Sequence, residues 1–456
     1  MRALLPLLLA TTFTACASTP APAPAPAPDS SSRPAPLLAA LTPPASASAP
    51  PPAPTENPTS TPASPPSAPA DAAALTPDEE RADVAGENAF TAKLHARLRR
   101  TPGNMMISGA SARHALAIAA LGARGDTARE MTTSLQLPAD TAKQVAVAKA
   151  ESAAWQEARG SAELVVADRL WTDKAFTPRE DFARAASAAF GASTEPVDFA
   201  TAPDAARKTI NAWVSEKTAN KVPDLLAEGM VDKRTRLLVT DAIYFKGRWS
   251  SPFKQGATKD EPFTTAPGRS ANVPTMHDTA LHGFAQVGTT KLLTMRYSGS
   301  QLSMLVALPD SVAGLAKLEE SFTADTFASW LKAIGPQRVA ISMPRFAFKW
   351  GGPLEAALKD LGMRAAFSGN ADFSGIADPA GAERLQISHV VQKTWVSVDE
   401  NGTEAAAASG VAMSVTSAVT GPIAEFKADH PFLFFVYDEK RGRILFAGRM
   451  ADPTKT

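Results

Sequence analysis

Hydrophobic and polar positions follow two rhythms along this chain, and the change-over falls near its middle. Val84, Phe90, Leu94 and Leu98 recur at helical spacing and predict a helix that Thr101-Pro102-Gly103-Asn104 ends. A second, alanine-rich helix is predicted over 111–122, and a third from Gly125 with Asp126 as its N-cap. Further helices are predicted over 141–158, 180–190 and 203–218, with a strand at 163–171 between them. After Pro223 the character turns to β, with predicted strands at 237–245, 272–276, 292–297, 302–308, 339–348 and 384–400 and a terminal hairpin from 432–437 and 444–448. Helical patterns at 313–334 and 354–361 interrupt these strands. The mixture predicts an α+β fold, without internal repeats at a fixed period.

Residues 398–421 obey neither rhythm. They read Val-Asp-Glu-Asn-Gly-Thr-Glu-Ala-Ala-Ala-Ala-Ser-Gly-Val-Ala-Met-Ser-Val-Thr-Ser-Ala-Val-Thr-Gly. The four alanines favour helix, yet Gly402 and Gly410 bracket them and β-branched residues follow. Local preference is undecided, as suits a segment with two conformations. Laid out as a strand, one face carries Thr403, Ala405, Ala407, Ser409, Val411, Met413 and Val415, all uncharged, while the other carries Glu404. The odd-numbered face could enter a sheet without desolvating a charge. On composition alone, an idle surface loop of small residues is the plainer reading.

Composition bounds the chemistry. The 456 residues are 45% hydrophobic, enough for a large core, and carry a formal net charge of zero. Nucleic acid or an anionic membrane surface as partner would call for a basic excess. One cysteine excludes a disulfide framework and a thiolate metal cage. The chain opens with Arg2, a leucine-rich stretch over 3–10 and Thr-Thr-Phe-Thr-Ala-Cys at 11–16, an export signal too short to span a bilayer. Its end is similar to a bacterial lipobox, which makes Cys16 the expected site of lipidation; ordinary cleavage is the alternative, with a secreted product. Residues 17–78 hold half of the 38 prolines among Ala, Ser and Thr and read as an extended, disordered tether, so that the folded domain is expected over 79–456.

The wording and order of the remaining segments become specific. Asn104 to Ser111 followed by Leu121-Gly122-Ala123-Arg124-Gly125, Asp241-Ala242-Ile243-Tyr244-Phe245-Lys246-Gly247-Arg248-Trp249 with Pro252-Phe253, and Leu361-Gly362-Met363 with Ala371-Asp372-Phe373-Ser374-Gly375-Ile376 match in order, as do Asp399 to Ser409 and Ala428-Asp429-His430-Pro431-Phe432-Leu433-Phe434. From Gly86 to Pro453 the chain resembles the serpin family of serine protease inhibitors. The resemblance implies an α+β fold of three β-sheets and roughly nine helices with an exposed reactive-centre loop, here at about 402–421. It implies a mechanism too: a target serine protease cleaves the loop, and the loop inserts into the large sheet with the enzyme covalently attached, a transition that general accounts of strand addition already cite for serpins.

Carried onto this chain, the hinge comprises Glu400, Gly402, Thr403, Ala405, Ala406, Ala407 and Ala408. The reactive bond falls at Thr416–Ser417 counting from Gly402, or at Thr420–Gly421 counting back from Pro431. Residues around either bond are small, and neither Lys nor Arg occurs between Glu400 and Lys427, so an elastase-like or subtilisin-like target is expected. The sheet-opening set is Ser108, Ser111, Asp241, Trp249 and Gln392. Three positions depart from the family's pattern: Gly109 replaces a usual proline, Asp241 an asparagine and Gln392 a histidine. An ionised Asp accepts and a Gln amide donates, so a hydrogen bond is expected there with less pH sensitivity than histidine would give. No metal, cofactor or nucleic acid is implied, and a monomer is expected.

Two rival readings remain. Loss of inhibition would leave a carrier or chaperone, which bulky or charged residues over 403–409 would favour; only Glu404 is charged there. Ser329-Trp330-Leu331-Lys332, Ser368-Gly369-Asn370 and Lys393-Thr394 distantly resemble a penicillin-binding enzyme, but the last element lacks its glycine and the intervals are short. His430 is expected to be structural.

Overall fold

The computed structural model describes residues 74–191, 194–378, 384–403 and 422–455. Cys16, Ala405 to Ala408, Thr416, Ser417, Thr420 and Gly421 therefore lie outside the described residues. In chain order the elements are α1 (Pro77–Leu98), β1 (Met105–Ile107), α2 (Gly109–Gly122), α3 (Gly125–Leu135), α4 (Thr141–Arg159), β2 (Glu163–Asp173), α5 (Glu180–Phe190), β3 (Thr194–Val197), α6 (Pro203–Lys217) and β4 (Leu237–Arg248). There follow β5 (Lys259–Ala266), β6 (Arg269–Val287), β7 (Thr290–Arg296), β8 (Leu302–Leu308), α7 (Gly314–Ser321), α8 (Ala324–Ala333), β9 (Gly335–Pro344), β10 (Phe346–Pro353), α9 (Glu355–Asp360), β11 (Ile387–Asp399), β12 (Gly402–Thr403), β13 (Ala424–Lys427), β14 (Phe432–Asp438) and β15 (Arg443–Met450).

Local chemistry explains most boundaries. At α1, Thr76 and Glu79 form a reciprocal capping box with Pro77 at the first turn, which fixes where this helix begins. Helix α2 is buried along its whole length, and its alanines let it lie close to its neighbours. Its N-cap is Ser108, whose hydroxyl accepts from Ser111 N at 3.0 Å. Several expectations are corrected. Helix α3 starts at Gly125 with Arg124 at the cap position and no side-chain cap, so Asp126 lies inside the helix. The pattern over 313–334 divides into α7 and α8 at Phe322–Thr323, where Thr323 Oγ1 caps a new helix by accepting from Thr326 N. The strand expected over 339–348 breaks at Arg345, and β9 and β10 join different sheets. Strand β5 went unread because it is largely polar; it pairs along β6 through backbone bonds.

Two hydrogen-bonded sheets result. The smaller, six-stranded one runs β10-β11-β4-β2-β3, with β12 lodged between β11 and β4 at one end. The larger runs β1-β15-β14-β8-β7-β6-β9-β13, with β5 on β6. Two of the three expected sheets are thus continuous, because the long β6 pairs with β5 and β9 over its first part and with β7 over its second. Nine α-helices lie among the described residues. One apolar cluster packs α1, α2 and the following helices against β11 and β14, and a second fills the space between the two sheets.

Candidate functional site

The site lies along the seam between β11 and β4. These strands pair in parallel from Ile387↔Leu237 to Trp395↔Tyr244 and then part. Into the widened end comes β12, antiparallel to both: Thr403 lies opposite Val398 on one side and Gly247 on the other, and Gly402 opposite Asp399 and Arg248. Gly402 and Thr403 thus already form a short strand inside the sheet.

Each described hinge residue is fixed for a physical reason. A Cβ on Gly402 would lie 2.0 Å from Gly247 O, so only glycine passes this point. Thr403 is buried on the odd-numbered face, and its hydroxyl shares a hydrogen bond of 2.7 Å with Tyr297 OH. Burial, partly offset by that bond, holds the Tyr297 phenol well above its ordinary pKa. Trp249 stacks on Tyr297 with centroids 4.7 Å apart, and its indole Nε1 donates to Asp399 O at 3.0 Å. Asp399 Oδ1 accepts from Asn401 N and Gly402 N at 2.8 and 3.2 Å, closing the turn into β12. Glu400 is buried; Thr258 donates to its Oε1 at 2.6 Å, and Arg345 Nε stands 3.6 Å from its Oε2. Of the sheet-opening set, Trp249 therefore belongs to this mouth.

The other four members meet deeper in the seam. Gln392 on β11 faces Asp241 on β4. Its Nε2 donates to Asp241 Oδ2 at 2.5 Å and to Ser108 O at 2.8 Å, while its Oε1 accepts from Ser108 N at 3.1 Å. Ser111 Oγ lies 2.6 Å from Asp241 Oδ1. All four are fully buried. The N-terminal turn of α2 is in this way bolted to both strands of the seam. Gly109 is explained as well: a Cβ there would lie 2.1 Å from Thr91 Oγ1, leaving no room for a proline.

Sequence reasoning missed Asp168 and Tyr297. Asp168 on β2 lies directly opposite Asp241, with its Oδ1 3.3 Å from the same Ser111 hydroxyl. One hydroxyl proton cannot serve two carboxylates, and two buried like charges cannot both persist, so the pair retains a proton. Burial and the Asp241 charge push Asp168 well above the usual carboxylate range, and burial pushes Asp241 up to about 6. No sequence signal reveals this pair, because the register of β2 on β4 is set by tertiary packing.

Elsewhere the chemistry is structural. Asp83, Glu87 and Glu151 converge closely enough to suggest a cation site, but Arg113 and Arg443 occupy their oxygens, with Arg113 Nη2 2.6 Å from Asp83 Oδ1 and Arg443 bonded to Glu87. Burial lifts Glu87 to about 8. His430 bridges Asp429 and Pro309 O at 2.8 Å each, in the expected structural role. The penicillin-binding elements serve the fold: Ser329 donates to Thr326 O, Lys393 Nζ to Asp224 O and Thr394 to Met106 O.

Comparison with known proteins decides the family. The model of the family described as "Serpin (serine protease inhibitor)" matches residues 85–453. The chain belongs to the serpin family. This serpin is 38% identical over 359 residues to the bovine (Bos taurus) leukocyte elastase inhibitor, covering 77% of this chain and 93% of the relative. It is 35% identical over 385 residues to an uncharacterised serpin-like protein of Thermococcus kodakarensis, covering 83% and 88%. Among solved structures, a serpin of the insect Tenebrio molitor described as highly specific superposes with a TM-score of 0.73 at 30% identity, over 83% of this chain and 99% of that one. The α+β serpin fold read from the sequence is thereby established.

Proposed function

We propose that this serpin is a suicide-substrate inhibitor of serine endopeptidases with a small primary pocket, elastase-like or subtilisin-like. The observation that carries the reading is β12: Gly402 and Thr403 sit in register between β11 and β4, where a longer inserted strand would begin. Attack of the protease serine on the carbonyl of Thr416 or Thr420 forms an acyl-enzyme and releases the amine of Ser417 or Gly421. The freed segment then extends β12 down the seam with its odd-numbered face inward, before water can hydrolyse the ester. To do so it displaces the eight register pairs that join β11 to β4 and acquires partners on both sides.

Hydrogen bonding alone does not drive this step, since ~1 kcal/mol per bond is offset by ~1–2 kcal/mol of ordering per residue. Burial of the small apolar face adds the remainder. The bovine relative is named as an elastase inhibitor, which supports the target class. Incubation with pancreatic elastase, subtilisin and trypsin tests the reading: an SDS-resistant covalent band is expected with the first two, and sequencing of the released peptide places the bond. Complete cleavage without a covalent band would overturn inhibition in favour of a carrier role. We also propose that export and lipidation at Cys16 place the inhibitor at the cell envelope on a proline-rich tether; fatty-acid labelling lost in Cys16→Ser checks this.

A further inference from the structure

Strands β5, β6, β9 and β13 of the larger sheet carry a second group of polar side chains, outside the seam. On β9, Ile341 and Met343 are buried, so the alternation of the strand turns Ser342 to the other face. Ser342 lies directly opposite His277 on β6 and opposite Lys427 on β13, which places all three on that face. Ser342 Oγ and His277 Nδ1 are 3.1 Å apart. On the far side of the ring, Glu261 Oε1 of β5 stands 3.2 Å from Nε2, though without the alignment of a full hydrogen bond. Ser342, His277 and Glu261 are half-buried and Lys427 is exposed. Glu261, Ser342, Lys427 and Asp429 also line one small hollow, where Lys427 Nζ is 3.5 Å from Asp429 Oδ2. The next row along the face pairs Thr279 with Ala340, both small. A hydroxyl within reach of a base, with a third group beside that base, is the arrangement that activates a serine. The Glu261 charge favours the ring tautomer with its proton on Nε2, which leaves the Nδ1 lone pair to accept from the Ser342 hydroxyl.

We propose that Ser342 is an acylation site, a serine that takes the acyl group of small activated esters, with His277 as its general base. Ser342 Oγ bonds to the ester carbonyl carbon while its proton passes to His277 Nδ1. The tetrahedral adduct then breaks its bond to the alkoxy or phenoxy oxygen, which takes that proton and leaves as the alcohol or phenol. The product is an ester on Ser342, and no oxidant or cofactor enters the balance. Lys427, across the ladder from Ser342, supplies positive charge for the oxyanion of the adduct. Glu261 touches neither reacting atom and acts through His277, as a positioning residue. The small side chains of the next row leave space for an acetyl-sized group.

The probe is p-nitrophenyl acetate, mixed with the whole protein while nitrophenol release is followed and the acetylated peptides are mapped by mass spectrometry. A burst of one nitrophenol per chain is expected, with the acetyl group on the peptide that contains Ser342 and removable by hydroxylamine, as an ester is and an amide is not. Ser342→Ala should lose the burst, and His277→Gln should slow it ~100-fold. Lys427→Met should slow it ~10-fold. Glu261→Gln should lower the limiting acylation rate at unchanged half-saturation, and Glu261→Asp should restore part of it. The absence of a burst, a burst that persists in Ser342→Ala, or a hydroxylamine-stable acetyl group on Lys427 overturns the proposal. Mapping on the wild type decides even where a variant fails to fold.

Discussion

Replacing Asp241 by Asn removes one of the two carboxyls that face each other across β2 and β4, and its effect on stability should depend on pH. Burial raises the Asp241 pKa from 3.8 to about 6 in the folded protein. For a fully buried group, a rise of that size corresponds to on the order of 3 kcal/mol between its protonation states. Because the folded value lies above the unfolded one, the protein is favoured by this group below about pH 4 and loses that contribution as pH rises through 6. Asp168, also raised, acts with the same sign at higher pH. Surface acids such as Glu79, Glu157 and Asp198 are held low by their partners and act with the opposite sign, but they are common to both proteins and cancel in the difference. Unfolding midpoints in urea for wild type, Asp241→Asn and Asp168→Asn between pH 4.5 and 8 give the answer. The wild type should lose ~2 kcal/mol relative to Asp241→Asn across that range, whereas Asp168→Asn, which mimics the protonated partner, should keep the loss that Asp241 causes and lack only what Asp168 adds at higher pH. Parallel curves for all three proteins would refute the shared proton. Glutamine at position 392 had implied an opening less sensitive to pH than histidine would give; the acid pair puts the titrating group one strand further away.

Three other outcomes follow from the geometry. Gly402→Val should close the mouth, since its Cβ would meet Gly247 O at 2.0 Å, and convert inhibitor to substrate in the covalent-band assay. Tyr297→Phe should leave the Thr403 hydroxyl buried without its partner, cost ~1–3 kcal/mol and make the hinge more sensitive to limited proteolysis; wild-type resistance would show that the bond does not hold β12. Arg443→Leu should destabilise the fold by ~3–5 kcal/mol by stranding Glu87 and Asp83, read as a fall in the urea midpoint.

How far the sequence disclosed this molecule depends on the range of the interactions concerned. Helices α4, α5 and α6 were legible to within a residue because caps and periodicity act locally, as Asp140 accepting from Lys143 N illustrates. Strand β5 was not, because its order comes from backbone pairing with β6 and its side chains are mostly polar. The break at Arg345 was invisible for a similar reason: Phe346 and Phe348 continue the alternation of β9, and only the partner strands change. Ser108, Ser111, Asp241 and Gln392 were placed together by family resemblance alone, and the hydrogen bonds among them supply the physical reason. Asp168 was out of reach, because nothing local to 163–173 says which residue of β4 it will face.

On the proposed insertion mechanism, the two ends of the seam would do opposite work. At the mouth, Tyr297, Trp249 and Gly247 accept the first inserted residues at little cost, since Gly402 carries no side chain and Thr403 exchanges water for a buried hydroxyl. Deeper down, further entry requires parting Gln392 from Asp241, which breaks a charge-assisted bond and leaves a buried acid with a proton it must keep or lose. The bonds that Gln392 makes to Asp241 and Ser108 are short-range and would be lost as soon as β11 moved away from β4 and the start of α2, while Ser111 would keep its bond to Asp241. They therefore oppose the start of opening more than its completion, whereas burial of the small apolar face grows residue by residue as the strand extends. If insertion proceeds as proposed, such a profile would hold the hinge at Thr403: favourable for two residues, resisted at the network, and favourable again once the sheet had parted.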